Sequence, residues 1–145
     1  TDAVGNFTAS FNGNTLPKSF LDSGSTANFM PTSGTVNLPE CTSALLAGTG
    51  YLCPGSSMTL VATNTGQSST SVTPYVLVID ANSAISAQPG YNVLPGLAAD
   101  GGSVAANPTL DLGASFFFGR TISTLIENHS APGIPVTGPA LGYTP

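Results

Sequence analysis

The residues best suited to chemistry are Asp22-Ser23-Gly24-Ser25, preceded by Phe20-Leu21 and followed by Thr26. Two apolar residues deliver a carboxylate to the end of a buried strand. Ser and Gly then give a tight turn with accessible backbone amides. A carboxylate so placed can accept hydrogen bonds from the Gly24 N–H and the Ser25 hydroxyl, which hold it ionised and fix its direction. On these four residues alone, an ordinary Asx turn in which Asp22 caps its own loop is the simpler reading.

Other polar residues offer less. Asp111 stands just before the last apolar block and reads as a turn cap, and Asp80, Asp100 and Glu127 read as solvated surface. Arg120 follows an apolar run and reads as an anchor for loop carbonyls. His129 is the only imidazole; it supports neither a catalytic triad nor a metal site, and no cofactor is called for. Cys41 and Cys53 are the only cysteines. In an acidic, Lys-poor chain they suggest one disulfide closing a short loop, worth ~2–3 kcal/mol; the alternative is two buried thiols.

Composition bounds what these residues can serve. The chain has 145 residues, 2 Lys+Arg against 7 Asp+Glu, and a net charge of -5. Two cations cannot neutralise a phosphate backbone, which excludes nucleic acid as a partner. Charged residues make up 6%, against ~25% in an average domain, and the apolar share of 41% excludes charge-driven disorder. No apolar run approaches the ~20 residues of a membrane helix. The polar surface must come from 18 Thr, 17 Ser and 10 Asn, a mixture that favours strands and turns and suits a secreted, periplasmic or cell-surface β-protein. Thr1 reads as the start of a mature product or of a fragment.

The elements that must position Asp22 are short strands. Phe7 to Phe11 alternates apolar and polar residues, Asn12-Gly13 supplies a hairpin turn, and Ser19 to Asp22 resumes as a strand. Residues 38–46 predict one or two helical turns from Pro39. Residues 58–62 and 72–79 predict a second hairpin around a polar turn at 64–71. Residues 82–108 read as a long loop with short strands around 91–94. Residues 115–126, SFFFGRTISTLI, read as a buried strand, a Gly-Arg break and a further strand or helical turn. The whole, 1–145, predicts one all-β domain with short helical turns.

The stretch FTASFNGNTLPKSFLDSGSTANFMP resembles the lobe of the aspartic peptidases, in which a strand, an N-G turn and a strand precede the catalytic D-[ST]-G-[ST] loop of pepsins and retropepsins. Phe117-Phe118-Gly119-Arg120 resembles that family's second motif, two apolar residues and a Gly, on a strand crossing behind the catalytic loop in a psi-shaped core. The resemblance covers about residues 5–31 and 110–128; the middle matches only in strand content. More narrowly, D-S-G-S, the two cysteines and the L-G-x-x-F-F-F-G-R block resemble an uncharacterised family of secreted proteobacterial proteins with two such lobes in one chain, of which this would be the C-terminal lobe.

The resemblance implies a closed β lobe of the acid-protease type. It implies Asp22 as catalytic aspartate, Ser23 as the inter-lobe hydroxyl grip, Gly24 permitting close approach of the other loop, and Ser25 bonding the outer oxygen of Asp22. Two aspartates sharing one proton are needed, because like charges ~3 Å apart cannot both ionise. The partners implied are a polypeptide substrate and a second lobe, either an N-terminal half or a symmetric copy. The leading expectation is an aspartic endopeptidase, inactive as an isolated lobe. The alternatives are a non-catalytic peptide-binding or structural module and, more distantly, a β-sandwich adhesin domain.

Overall fold

The computed structural model describes residues 1–66, 71–133 and 135–144. Phe7, Ala9 and Phe11 of β1 (Phe7–Phe11) point inward and are buried, as the alternation requires. Asn12 and Gly13 both take positive φ, 47° and 79°, the pair of left-handed residues that a tight hairpin turn needs. The chain returns as β2 (Asn14–Asp22), antiparallel to β1. The register slips between Phe7↔Ser19 and Ala9↔Leu16. Pro17 lies in that interval and has no N–H to give the ladder, which suits a bulge.

Beyond β2 the sheet is built from distant segments: β3 (Asn28–Met30), β4 (Met58–Thr65), β5 (Ser71–Val72), β6 (Tyr75–Val78), β7 (Ala98–Asp100) and β8 (Asp111–Gly113). Its order is β5-β4-β1-β2-β8-β3-β7, with β6 also on β4. β8 runs parallel to β2 and antiparallel to β3, and β3 runs parallel to β7. Among the described residues the two ends of this path do not pair, so the sheet is mixed and open rather than the closed lobe expected. β9 (Ile122–Leu125) and β10 (Ala140–Tyr143) form a separate antiparallel pair.

Among the described residues there are also two short helices. Asp80 caps α1 (Ala81–Ala87), its carboxylate accepting from the Ser83 N–H at 2.9 Å. This helix lies where a loop was expected. Helix α2 (Ala114–Phe117) replaces the strand expected of the three phenylalanines. Phe116 is buried and Phe118 is exposed. A strand would put those two rings on one face, whereas the helical turn separates them. The helical turns expected over 38–46 are absent as a helix: Glu40 bridges to Leu52, and the chain turns over residues 44–48. The expected 64–71 turn falls partly outside the described residues, and β4 runs to Thr65.

One core cluster gathers Phe7, Phe11, Leu16, Val76, Leu112 and Phe116. A second cluster holds Ala27, Cys41, Leu46, Leu94, Leu97 and Ala99. Cys41 and Cys53 are joined as a disulfide, as expected. The loop they close is tied to β7 by the Leu52 N–H on the Ala98 carbonyl at 2.9 Å, and Tyr51 pairs with Ala99. Buried Ser19 fastens β2 to the segment entering β8: its hydroxyl donates to the Leu16 carbonyl and accepts the Leu110 N–H, both at 3.0 Å.

Candidate functional site

Asp22 is the last residue of β2, in register with Gly113 of β8. Its Oδ1 accepts the Gly24 N–H and its Oδ2 the Ser25 hydroxyl, each at 2.7 Å. These two donors, Ser25 first and Gly24 second, hold its carboxyl below the usual carboxylate range. Ser23 and Gly24 are exposed, and Asp22 and Ser25 are half-buried. The loop geometry read from D-S-G-S is therefore present.

The segment behind this loop is Leu112-Gly113, not Phe117-Phe118-Gly119. β8 lies between β2 and β3, and the Ala114 N–H donates to the Ser25 carbonyl at 2.7 Å. A Cβ on Gly113 would overlap the Ala27 carbonyl oxygen and stand 2.9 Å from the Ser25 oxygen, so only glycine fits that crossing. At Gly119 a Cβ would meet nothing within 4 Å, and Phe118 is 48% exposed. Gly119 (φ +74°) instead serves a turn after α2. The cue to the right segment was the Leu-Gly pair that opens the same apolar block.

Arg120 anchors carbonyls, as its position suggested. Its guanidinium lies 4.0 Å from the Phe116 ring centroid and donates to the Phe116 and Tyr75 carbonyls, each at 2.7 Å.

The structure also brings in a residue that sequence reasoning set aside. Asp111 is in register with Phe20 on one side and Phe29 on the other. By strand alternation these three residues share a sheet face with Asp22. Asp111 Oδ2 lies 3.3 Å from the Ser25 hydroxyl, and its Oδ1 is buried with no hydrogen-bond partner among the described residues. Burial first, and the Asp22 charge second, push its carboxyl up to about 6. Ser25 thus stands between two carboxyl groups with opposite tendencies, the arrangement in which acid and base roles separate.

Two neighbours complete the surroundings. The Tyr51 hydroxyl is 3.1 Å from Thr26 Oγ1, joining the disulfide loop to the acidic loop. Asp100 accepts the Thr32 hydroxyl at 2.5 Å and the Gly102 N–H at 3.0 Å, which fixes the exit of β3. Among the described residues, no group of three or more His, Cys, Asp or Glu could hold a metal ion, and no helix is long and apolar enough to cross a membrane. A cavity of about 520 Å³, lined by Phe7, Asn64, Val72, Leu141 and Tyr143 among others, contains none of the Asp22 loop.

The chain belongs to the family described as Protein of unknown function (DUF3443), which matches it over residues 1–143. No curated protein and no solved structure matches it.

Proposed function

We propose that this chain is one lobe of an aspartic-type endopeptidase acting outside the cytoplasm, with Asp22 as one carboxylate of a two-aspartate, water-activating pair. The observation that carries the reading is Asp22 itself. It sits at a strand end on a half-exposed face, held by the Gly24 amide and the Ser25 hydroxyl, with β8 crossing behind at Gly113. Such a carboxylate is fixed in direction and able to accept a proton from water. Exposed Ser23 and Gly24 leave room for a second loop of the same kind, carried by an N-terminal half or a symmetric copy. Phe20 and Phe29 on the same face would then lie against that second lobe. The Cys41–Cys53 disulfide is compatible with an oxidising extracytoplasmic compartment.

The test is Asp22→Asn in the two-lobe protein, assayed on an unfolded polypeptide at acidic pH. The amide keeps the shape of the side chain and cannot take the proton of the attacking water. Hydrolysis should fall by at least ~10²–10⁴-fold, the usual worth of a general base, with circular dichroism unchanged. Equal hydrolysis in both proteins removes Asp22 from the chemistry. A parent that binds peptides and never cleaves them leaves the non-catalytic binding module as the function of this lobe.

A further inference from the structure

We propose that Asp111 is a positioning residue that carries a proton on Oδ2 and, through the Ser25 hydroxyl, fixes the outer oxygen of Asp22. This rests on the reading of Asp22 as the reacting carboxylate. Ser25 Oγ lies 2.7 Å from Asp22 Oδ2 and 3.3 Å from Asp111 Oδ2. A hydroxyl has one hydrogen to donate and two lone pairs to accept with. The shorter distance assigns that hydrogen to Asp22. Towards Asp111, Ser25 can then only accept, and the contact is attractive only when Asp111 is the donor. With both carboxyls ionised, a lone pair would face an anion.

The other oxygen of Asp111 points to the same state. Oδ1 is buried and has no hydrogen-bond partner among the described residues. An ionised carboxylate loses much by that, and the carbonyl oxygen of a neutral acid loses far less. β2 contributes the anion Asp22 and, in register, Phe20; its Lys18, two positions before Phe20, is exposed and is not among the groups that act on the Asp111 carboxyl. β3 contributes Phe29, and α2 contributes no ionisable side chain. The upward shift of the Asp111 carboxyl agrees with this geometry. The resulting chain runs from the Asp111 O–H to Ser25 Oγ, and from the Ser25 O–H to the Asp22 carboxylate. It is intact in mild acid, where Asp22 is ionised and Asp111 is protonated. It loses its first donor as pH rises through about 6, when Ser25 is left between two anions. An upper pH limit is thereby built into a single lobe.

The experiment is a carboxyl-carbon NMR titration of this chain, labelled at its five aspartates, with Asp111→Asn, Asp111→Leu and Ser25→Ala as variants. In the parent, Asp111 should titrate near 6 while the other aspartates titrate near or below ~4, the ordinary value. The Gly24 and Ser25 amide signals should shift along the same curve. Asp111→Asn offers Ser25 a permanent N–H donor, so those signals should stay at their acid-state positions up to pH 8. Asp111→Leu and Ser25→Ala should show displaced signals at every pH. Asp111 titrating with the other aspartates overturns the proposal, and so do Asn and Leu variants that behave alike. In the two-lobe protein, Asp111→Asn should extend the basic limb of kcat/KM with KM unchanged. If the titrations hold and no variant or parent hydrolyses peptides, the proton chain stands and the peptidase reading falls.

Discussion

Replacing Gly113 by alanine tests how closely β8 passes behind the acidic loop. Gly113 has φ −71° and ψ −175°, an extended conformation that alanine adopts freely, so the substitution adds no backbone penalty. What it adds is a methyl group that overlaps the Ala27 carbonyl oxygen and stands 2.8 Å from its carbon and 2.9 Å from the Ser25 oxygen. Both neighbours are main chain and cannot swing aside as a side chain would. Overpacking of this kind costs ~1–3 kcal/mol. The Ala114 N–H bond to Ser25, next to the added methyl, is worth ~1 kcal/mol more if it breaks. The expected loss is ~2–4 kcal/mol from a total stability of ~5–15 kcal/mol. Urea unfolding followed by circular dichroism and tyrosine fluorescence, the chain having no Trp, measures it. Gly142→Ala is the control, because its Cβ meets nothing within 4 Å; it should stay within ~0.5 kcal/mol of the parent. A Gly113→Ala protein within ~1 kcal/mol of the parent would refute the close crossing, since overpacking alone should exceed that.

Four further outcomes follow from the geometry. The stability contribution of Asp111 is fully present below its unfolded value near 4 and lost as pH rises through about 6. The two-unit shift is worth ~3 kcal/mol, which the partial exposure of the group cuts to ~1–2 kcal/mol. Urea midpoints across pH 4–8 should show that decline in the parent and not in Asp111→Asn. Asp22, held low, works in the opposite sense: its contribution is present above its unfolded value and lost as pH falls through the folded one, so Asp22→Asn should flatten the acid side. Replacing Cys41 and Cys53 together by serine should cost ~2–3 kcal/mol in thermal or urea unfolding. Arg120→Lys, unable to bridge the Phe116 and Tyr75 carbonyls while lying on the Phe116 ring, should cost ~1–2 kcal/mol in the same assay.

What the sequence revealed and what it concealed divide along one physical line. The β1 hairpin was legible because its signals are local: alternation at Phe7, Ala9 and Phe11, and Asn12-Gly13 to turn it. The D-S-G-S loop was legible for the same reason, since the partners of Asp22 lie within three residues of it. Asp111 was not, because Ser25 and Asp111 are 86 positions apart and meet only through the parallel pairing of β2 with β8. Nothing in the sequence beside Asp111 distinguishes a carboxyl bound for a buried face from one capping a turn. The Phe116-Phe117-Phe118 run misled because bulk apolar residues suit a strand or one turn of a buried helix equally well. Helix α1 hid in a segment of Ala, Ser and Asn with a single Ile, and the Asp80 cap was its one signal. Strand β7, Ala98–Asp100, is too short and small-chained to show any period.

The link from the disulfide loop to Thr26 carries a consequence for biosynthesis. The Tyr51 hydroxyl, which meets Thr26 at 3.1 Å, is held by the Cys41 N–H on the Tyr51 carbonyl at 2.8 Å. The covalent bond from Cys41 to Cys53 closes that loop around it. A newly made chain kept in a reducing environment has every residue of the acidic loop, with the Gly113 crossing behind it, and lacks the covalent brace on its Thr26 flank. Asp22 keeps its own two hydrogen bonds, from the Gly24 amide and the Ser25 hydroxyl, whether or not the thiols are joined. The disulfide thus braces the flank of the acidic loop at Thr26 and leaves the carboxylate's direction to the loop itself.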